Sequence, residues 1–349
     1  MSVCSRDRAA AFTHSLCTCS NALGPRGLEV NSTAEGGAVA VGVNGMFAVP
    51  VSSPGWPGNT WMGGPANGNG NGWGPRPMDP GVMPGRVSIA GDLQVGGALA
   101  FAGDVSVAGN LWSASAPVGT GTLSVGGDLY SQMPSQTPAN VVVSGASRIA
   151  DPWPGPPCAC GPNAQLDIAA LVGEAAQQND NSARGFDAGS LVNMLNDASL
   201  DLRCGRYYLQ GVAVLGTLTL RVTGHAVLFV NGDFTVGSVR TELADGAELD
   251  LLVAGSYTSD DGARFAAPEQ AARARIYVAD QLLFVTALER AIGTATERAT
   301  LVGNFYAPKS NLQLSEPLDL HGSLFINQLF LLQDLTLHST LPRGTRCGF

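Results

Sequence analysis

The chain has 349 residues, with 45 glycines and 21 prolines, and it is 45% hydrophobic but only 13% charged. That mixture is too apolar for a disordered chain and too rich in glycine for a helical one, so short strands joined by tight turns are the expected framework. A net charge of −9 with a single lysine, Lys309, leaves no basic stripe to neutralise a phosphate backbone and argues against a nucleic-acid partner. No run of about 20 apolar residues is present, so no helical membrane span is expected, and the amino terminus lacks the charged-then-apolar pattern of a secretory signal.

In chain order, residues 1–52 form a Cys-containing front segment whose Val39-Ala-Val-Gly-Val-Asn-Gly-Met-Phe run predicts an opening strand pair turning at Asn44-Gly45. Residues 53–85 are low-complexity, with Pro-Gly and Asn-Gly repeats and Trp56, Trp61 and Trp73, and read as a long loop. Residues 86–150 carry the decisive pattern. Val87 and Ile89, Leu93 and Val95, Leu99 and Phe101, Val105 and Val107, then Leu123 and Val125 recur in steps of two then four. A helix cannot bury such a set on one face. A three-residue strand buries its first and third side chains and leaves three residues to turn a corner. Gly91, Gly97, Gly103, Gly109, Gly121 and Gly127 fall on the same six-residue register, and Asp92, Asp104, Asn110 and Asp128 each follow a glycine. Glycine and Asx residues tolerate the positive φ that a sharp corner would use. The expected fold is therefore all-β, a parallel β-helix of about ten rungs, with about three sides per rung stacked roughly 4.8 Å apart.

Residues 151–204 interrupt the rhythm with a Pro-rich strap, Asp151 to Pro162, and two predicted helices, 164–178 and 188–197. Residues 205–349 return to it. Leu312 and Leu314, Leu318 and Leu320, Leu324 and Ile326, Phe330 and Leu332 repeat the two-four spacing, which predicts one continuous coil. The seven cysteines, Cys4, Cys17, Cys19, Cys158, Cys160, Cys204 and Cys347, are read as disulfides fastening the chain ends and the insertion, with one thiol left over, because Cys-x-Cys pairs are closer than zinc ligands usually stand. An oxidising compartment follows.

The repeats Val87-Ser-Ile-Ala-Gly-Asp-Leu, Val105-Ser-Val-Ala-Gly-Asn-Leu and Leu123-Ser-Val-Gly-Gly-Asp-Leu resemble the bactofilin-type polymer-forming β-helix. The segment Gly303-Asn-Phe-Tyr-Ala-Pro-Lys, with Tyr306, Ala307, Pro308, Gly322 and Ser323 as the matching positions, is similar to a domain of unknown function in bacterial surface and pilus-associated proteins of the PilX-like kind. The resemblance implies a surface-located, right-handed β-helix and supplies no active site.

Chemistry is sparse. His321 and His338 lie close to one rung apart and could stack on one face and share a metal, but no carboxylate cluster accompanies them, so they are read as two exposed rung residues and no metal is assigned. No cofactor fingerprint is present. Asp92, Asp104 and Asp128 are assigned to corners rather than to a calcium ladder. The expected function is a non-enzymatic, exported scaffold, adhesin or fibre subunit, able to associate with itself or with surface glycans. Its contact residues would be Trp56, Trp61 and Trp73, since large aromatics anchor interfaces. The competing expectation is a carbohydrate-active β-helix enzyme using Asp260, Asp261, Asp280 and Arg275.

Overall fold

A computed structural model describes residues 12–24, 27–32, 39–49, 85–132, 139–260, 263–284 and 298–341. The chain is a parallel β-solenoid of about 12 turns, 52% strand, and the strand pairings among the described residues are parallel. The two-four spacing maps onto the strands as expected. Val87, Val105, Leu123 and Val141 stand in register on four successive rungs, as do Ile89, Val107, Val125 and Val143. Their neighbours Ser88, Ser106 and Ser124 alternate to the outside. Each fully buried valine or leucine contributes about 1.5–3 kcal/mol, so the interior needs no charges to hold the rungs together.

The corners work differently from the sequence expectation. The glycines at these corners do not adopt positive φ; that conformation occurs at Gly205, Gly232, Gly303, Gly322 and a few loop glycines. What the hexapeptide corners require is proximity. A Cβ on Gly91 would stand 2.0 Å from the carbonyl oxygen of Val39, and one on Gly121 would stand 2.1 Å from that of Gly103. The Asx residues beside them bond to the next rung, 18 residues on. Asp92 Oδ1 accepts from Asn110 N (2.7 Å), Asn110 Oδ1 from Asp128 N (2.9 Å) and Asp128 Oδ1 from Ala146 N (2.8 Å). The side chains therefore act as a corner ladder.

The stack is continuous, but the chain does not run along it from end to end. Its first strand, Leu16–Thr18, lies in mid-stack, between Leu318–Leu331 on one side and Ala40–Val43 on the other. Leu28–Ser32 is likewise held between Leu335–Ser339 and Val87–Ile89. From this point the chain winds outward to Ser147–Ile149. The strap then returns along the outside, winding resumes with Ala198–Leu202 at the opposite end, and the last strand arrives back beside the first ones. The seam pairs the edges that both chain ends would otherwise leave open, and Ser15 Oγ and Ser339 Oγ share a hydrogen bond of 2.6 Å across it. Asn44-Gly45 is accordingly a corner rather than a hairpin turn, because Ala40–Val43 and Phe47–Val49 pair with other rungs and not with each other.

A second apolar layer covers one outer face. Tyr208, Phe229, Leu252, Tyr277, Tyr306, Phe325 and Cys17 form an outward column on seven successive rungs. Helix α1, Ile168–Ala175, lays Ile168, Val172 and Ala175 against this layer. It is shorter than the predicted 164–178. The Leu166 amide is taken by the Tyr306 hydroxyl (3.1 Å), and Asp167 caps the helix by accepting from Ala170 N (3.0 Å). The second predicted helix, 188–197, is absent. There Leu191 enters the core, and the backbone of Leu191 and Met194 bonds to Ala213 and Leu215, which uses the groups an α-helix would need. A single turn, α2 (Asn181–Arg184), forms just before it.

The strap is fixed by two adjacent disulfides, Cys17–Cys158 and Cys19–Cys160. Cys204 is exposed and unbridged. Cys4 and Cys347 lie outside the described residues, as do Trp56, Trp61, Trp73 and Asp261.

Candidate functional site: a polar groove at the seam

The seam brings together segments distant in sequence. Outward residues of consecutive rungs there are Asp319, Thr336, Glu29 and Ser88, in register from Leu318–Leu331 through Leu335–Ser339 and Leu28–Ser32 to Val87–Ile89. Beside them lies an open groove of about 500 Å³, whose polar lining includes Glu29, Arg86, Ser88, Arg298, Asp334 and Thr336. Arg298 bridges two rungs, with Nη1 donating to Asp319 Oδ1 (3.0 Å) and to Thr336 Oγ1 (2.8 Å). Asp334 Oδ1 accepts from the Gly27 amide (2.8 Å), which secures the floor where the two chain ends meet. Two guanidinium groups, two carboxylates and two hydroxyls thus converge on one concave surface. Such a set offers donors and acceptors to a polar ligand without a net charge that would select an ion. The Trp-rich stretch expected to make contacts joins the described chain at Gly85, on the lip of this groove.

The other sequence candidates are dispersed. Arg275 is buried, and its hydrogen bonds go to Asp250 through Nε and to Glu248 through Nη2 (2.8 Å). Asp280 is exposed and accepts from Ser256 Oγ (3.4 Å), and Asp260 is exposed at the end of Tyr257–Ser259. Arg275 belongs instead to a network with Asp250, Glu248 and His225, whose Nε2 lies 3.1 Å from Asp250 Oδ2. Burial would raise the Asp250 carboxyl, but the His225 hydrogen bond and the Arg275 charge outweigh it and hold the group below its ordinary value. Burial would likewise depress Arg275, and Asp250 together with Glu248 holds it above the usual arginine value. These charges neutralise one another, which is a structural role. Sequence reading missed His225 and Asp250 as partners because they stand on adjacent rungs, 25 residues apart.

His321 and His338 do stack, with ring centroids 4.5 Å apart. Burial, and secondarily the neighbouring imidazole, lowers the His321 pKa. Among the described residues no group of three metal-ligating side chains accompanies them. Beyond the strap, Trp112 and Tyr130 stack at 5.1 Å on the outer face, and Asp128 ties the Tyr130 hydroxyl to Arg148. No helix among the described residues is long and apolar enough to cross a membrane.

Comparison with known proteins finds no match among curated proteins and none among solved structures. A family model described as Domain of unknown function (DUF7305) matches residues 160–340. The matched segment starts in the strap, takes in both helices and ends with the last strands of the coil, so it supplies Arg298, Asp334 and Thr336 to the groove, whereas Glu29, Arg86 and Ser88 come from the front coil docked against it. Because that segment is more than half of the 349 residues, the chain belongs to the family of the Domain of unknown function DUF7305.

Proposed function

We propose that the protein is a non-enzymatic, exported bacterial surface protein, a solenoid scaffold or adhesin whose seam groove holds a hydroxyl-rich glycan. The observation that carries this reading is the groove itself, in which paired charges of both signs and two hydroxyls line an open surface. A sugar hydroxyl both donates and accepts, so a set of donors and acceptors of this kind can bond to it. The two disulfides fit an oxidising, extracellular setting. The resemblance to bactofilin-type and pilus-associated β-helices supports a surface role of the same kind.

A glycan array followed by calorimetry on the best hit tests the reading. Arg298→Ala and Glu29→Ala should each weaken binding at least tenfold while leaving the glycan intact. Absence of any hit would overturn the glycan assignment. Release of shortened sugar would favour the enzyme reading, and its dependence on Asp260 or Asp280 would then be measured.

A further inference from the structure

The two ends of the coil are finished differently. At one end the outer edge of the strand Gly205–Leu209 is filled without another strand. Asp180 donates its amide to Arg206 O (2.7 Å) and accepts from Arg206 N through Oδ2 (2.8 Å). The Asn181 side chain accepts from Tyr208 N (2.9 Å) and donates to Tyr208 O (2.7 Å), and Gln210 N donates to Ala188 O (2.9 Å). Arg184 covers Cys204 O (3.0 Å), and Phe186 packs edge-on against Tyr207 with centroids 5.4 Å apart. This edge is sealed, and Leu202 and Leu209 beneath it are fully buried, whereas the neighbouring strand Ala198–Leu202 pairs only with Val212–Val222 among the described residues.

The opposite end has no such cover among the described residues. Val141–Val143 pairs only with Leu123–Val125, and Ser147–Ile149 only with Leu129–Ser131. Ile149 continues the column of Val95, Ser113 and Ser131, whose members are buried, yet it is 54% exposed. Proline and unpaired charge, two of the usual guards of an edge, are missing from these short strands too. Neither strand contains proline, lysine or glutamate, and the one charge, Arg148, is held by Asp128 of the preceding rung.

We infer that this open end docks onto the same end of a second copy of the chain, giving a closed two-fold dimer. Head-to-tail stacking is disfavoured, since Asp180, Asn181 and Arg184 occupy the Gly205–Leu209 side of the far end, so that only Ala198–Leu202 offers a free edge there where two strands would have to be met. A lone foreign strand would cover one edge and leave the other strand and the core between them wet. A second open end has the same cross-section and covers all of these at once, with its strands running antiparallel to those they meet, and a two-fold interface closes after one contact. The footprint is one rung, smaller than the roughly 800 Å² per partner of a standard interface, so the dimer is weak and concentration-dependent. This inference is independent of the glycan reading.

Sedimentation velocity from about 1 μM to about 300 μM, in a Cys4→Ser/Cys204→Ser/Cys347→Ser background that removes every cysteine outside the two described disulfides, provides the test. Wild type should pass from monomer to dimer with nothing larger. Ile149→Lys should weaken dimerisation at least tenfold. So should Val143→Pro: Ser144 N and Asn140 O face the preceding rung, so the intervening amide of Val143 faces the open side and its loss spares the ladder. Leu215→Lys, exposed near the sealed end, should dimerise like wild type. Far-UV circular dichroism checks that each variant folds, and if Ile149→Lys does not, Val143→Pro carries the test. A monomer at every concentration, an open-ended series of larger species, undiminished dimerisation of the folded edge variants, or loss of dimer in Leu215→Lys would each overturn the inference.

Discussion

The paired disulfides make a quantitative prediction about cooperativity. Cys17–Cys158 and Cys19–Cys160 each close a loop of sequence separation 141, with a single residue between the two bridges in both segments. In the chain-entropy account, one bridge across that loop removes about 5 kcal/mol of unfolded-state freedom. Once one bridge is present, the second closes only the small ring through Cys17–Cys19 and Cys158–Cys160, which for about six residues contributes about 2 kcal/mol. Replacing either pair with alanine should therefore cost about 2 kcal/mol, and replacing both about 7 kcal/mol, far more than the sum of the two. Alanine keeps the apolar character of the buried Cys17 and Cys158 positions, which lie in the outer layer. Guanidinium unfolding of the three variants and wild type, followed by far-UV circular dichroism, reads the differences. Simple additivity, or one single-pair variant as unstable as the quadruple variant, would refute the loop argument and would mean that the bridges act through local packing.

Other expectations follow from the same contacts. Arg275→Met leaves Asp250 buried without its guanidinium and should cost about 3–5 kcal/mol, roughly 4–7 °C in thermal midpoint, with part of the loss recovered in Arg275→Met/Asp250→Leu; a double variant less stable than the single would contradict this. Because the Asp250 pKa is depressed in the folded state, its contribution is present above the ordinary carboxylate value and is lost as pH falls through the folded value; a thermal midpoint that does not fall on acidification below about pH 4 would count against it. His321 has the opposite consequence near neutrality. Its folded pKa lies below 6.5, so the unfolded chain binds the proton more readily and stability should drop as pH falls below about 6.5; melting curves of His321→Gln should lose part of that slope. Gly322→Ala should destabilise by roughly 3 kcal/mol or more, since Gly322 has φ +137° and a Cβ there would stand 2.0 Å from Gly303 O, and a variant melting with wild type would show that the seam corner can relax.

The sequence by itself determined the architecture of each rung. Steps of two then four place Val105 and Val107 inside and Ser106 outside whatever surrounds them, because side chains alternate along a strand, and six residues recurring three times return the chain to the same column after 18. It also marked the corners, although the reason for their glycines is close approach between rungs rather than positive φ. The cysteine spacing indicated bridges but not partners. Tertiary structure alone decided the order in which the rungs stack, since every rung has the same edges and nothing local tells Leu16–Thr18 that its neighbour is Leu318–Leu331. The groove was illegible for that reason: Glu29, Arg86, Arg298 and Asp334 come from four separate stretches and meet only where the two ends of the chain close the coil. The covering of the Gly205–Leu209 edge was equally hidden, because it depends on where the insertion comes to rest, and that is set by the outer apolar column that receives α1 and the strap.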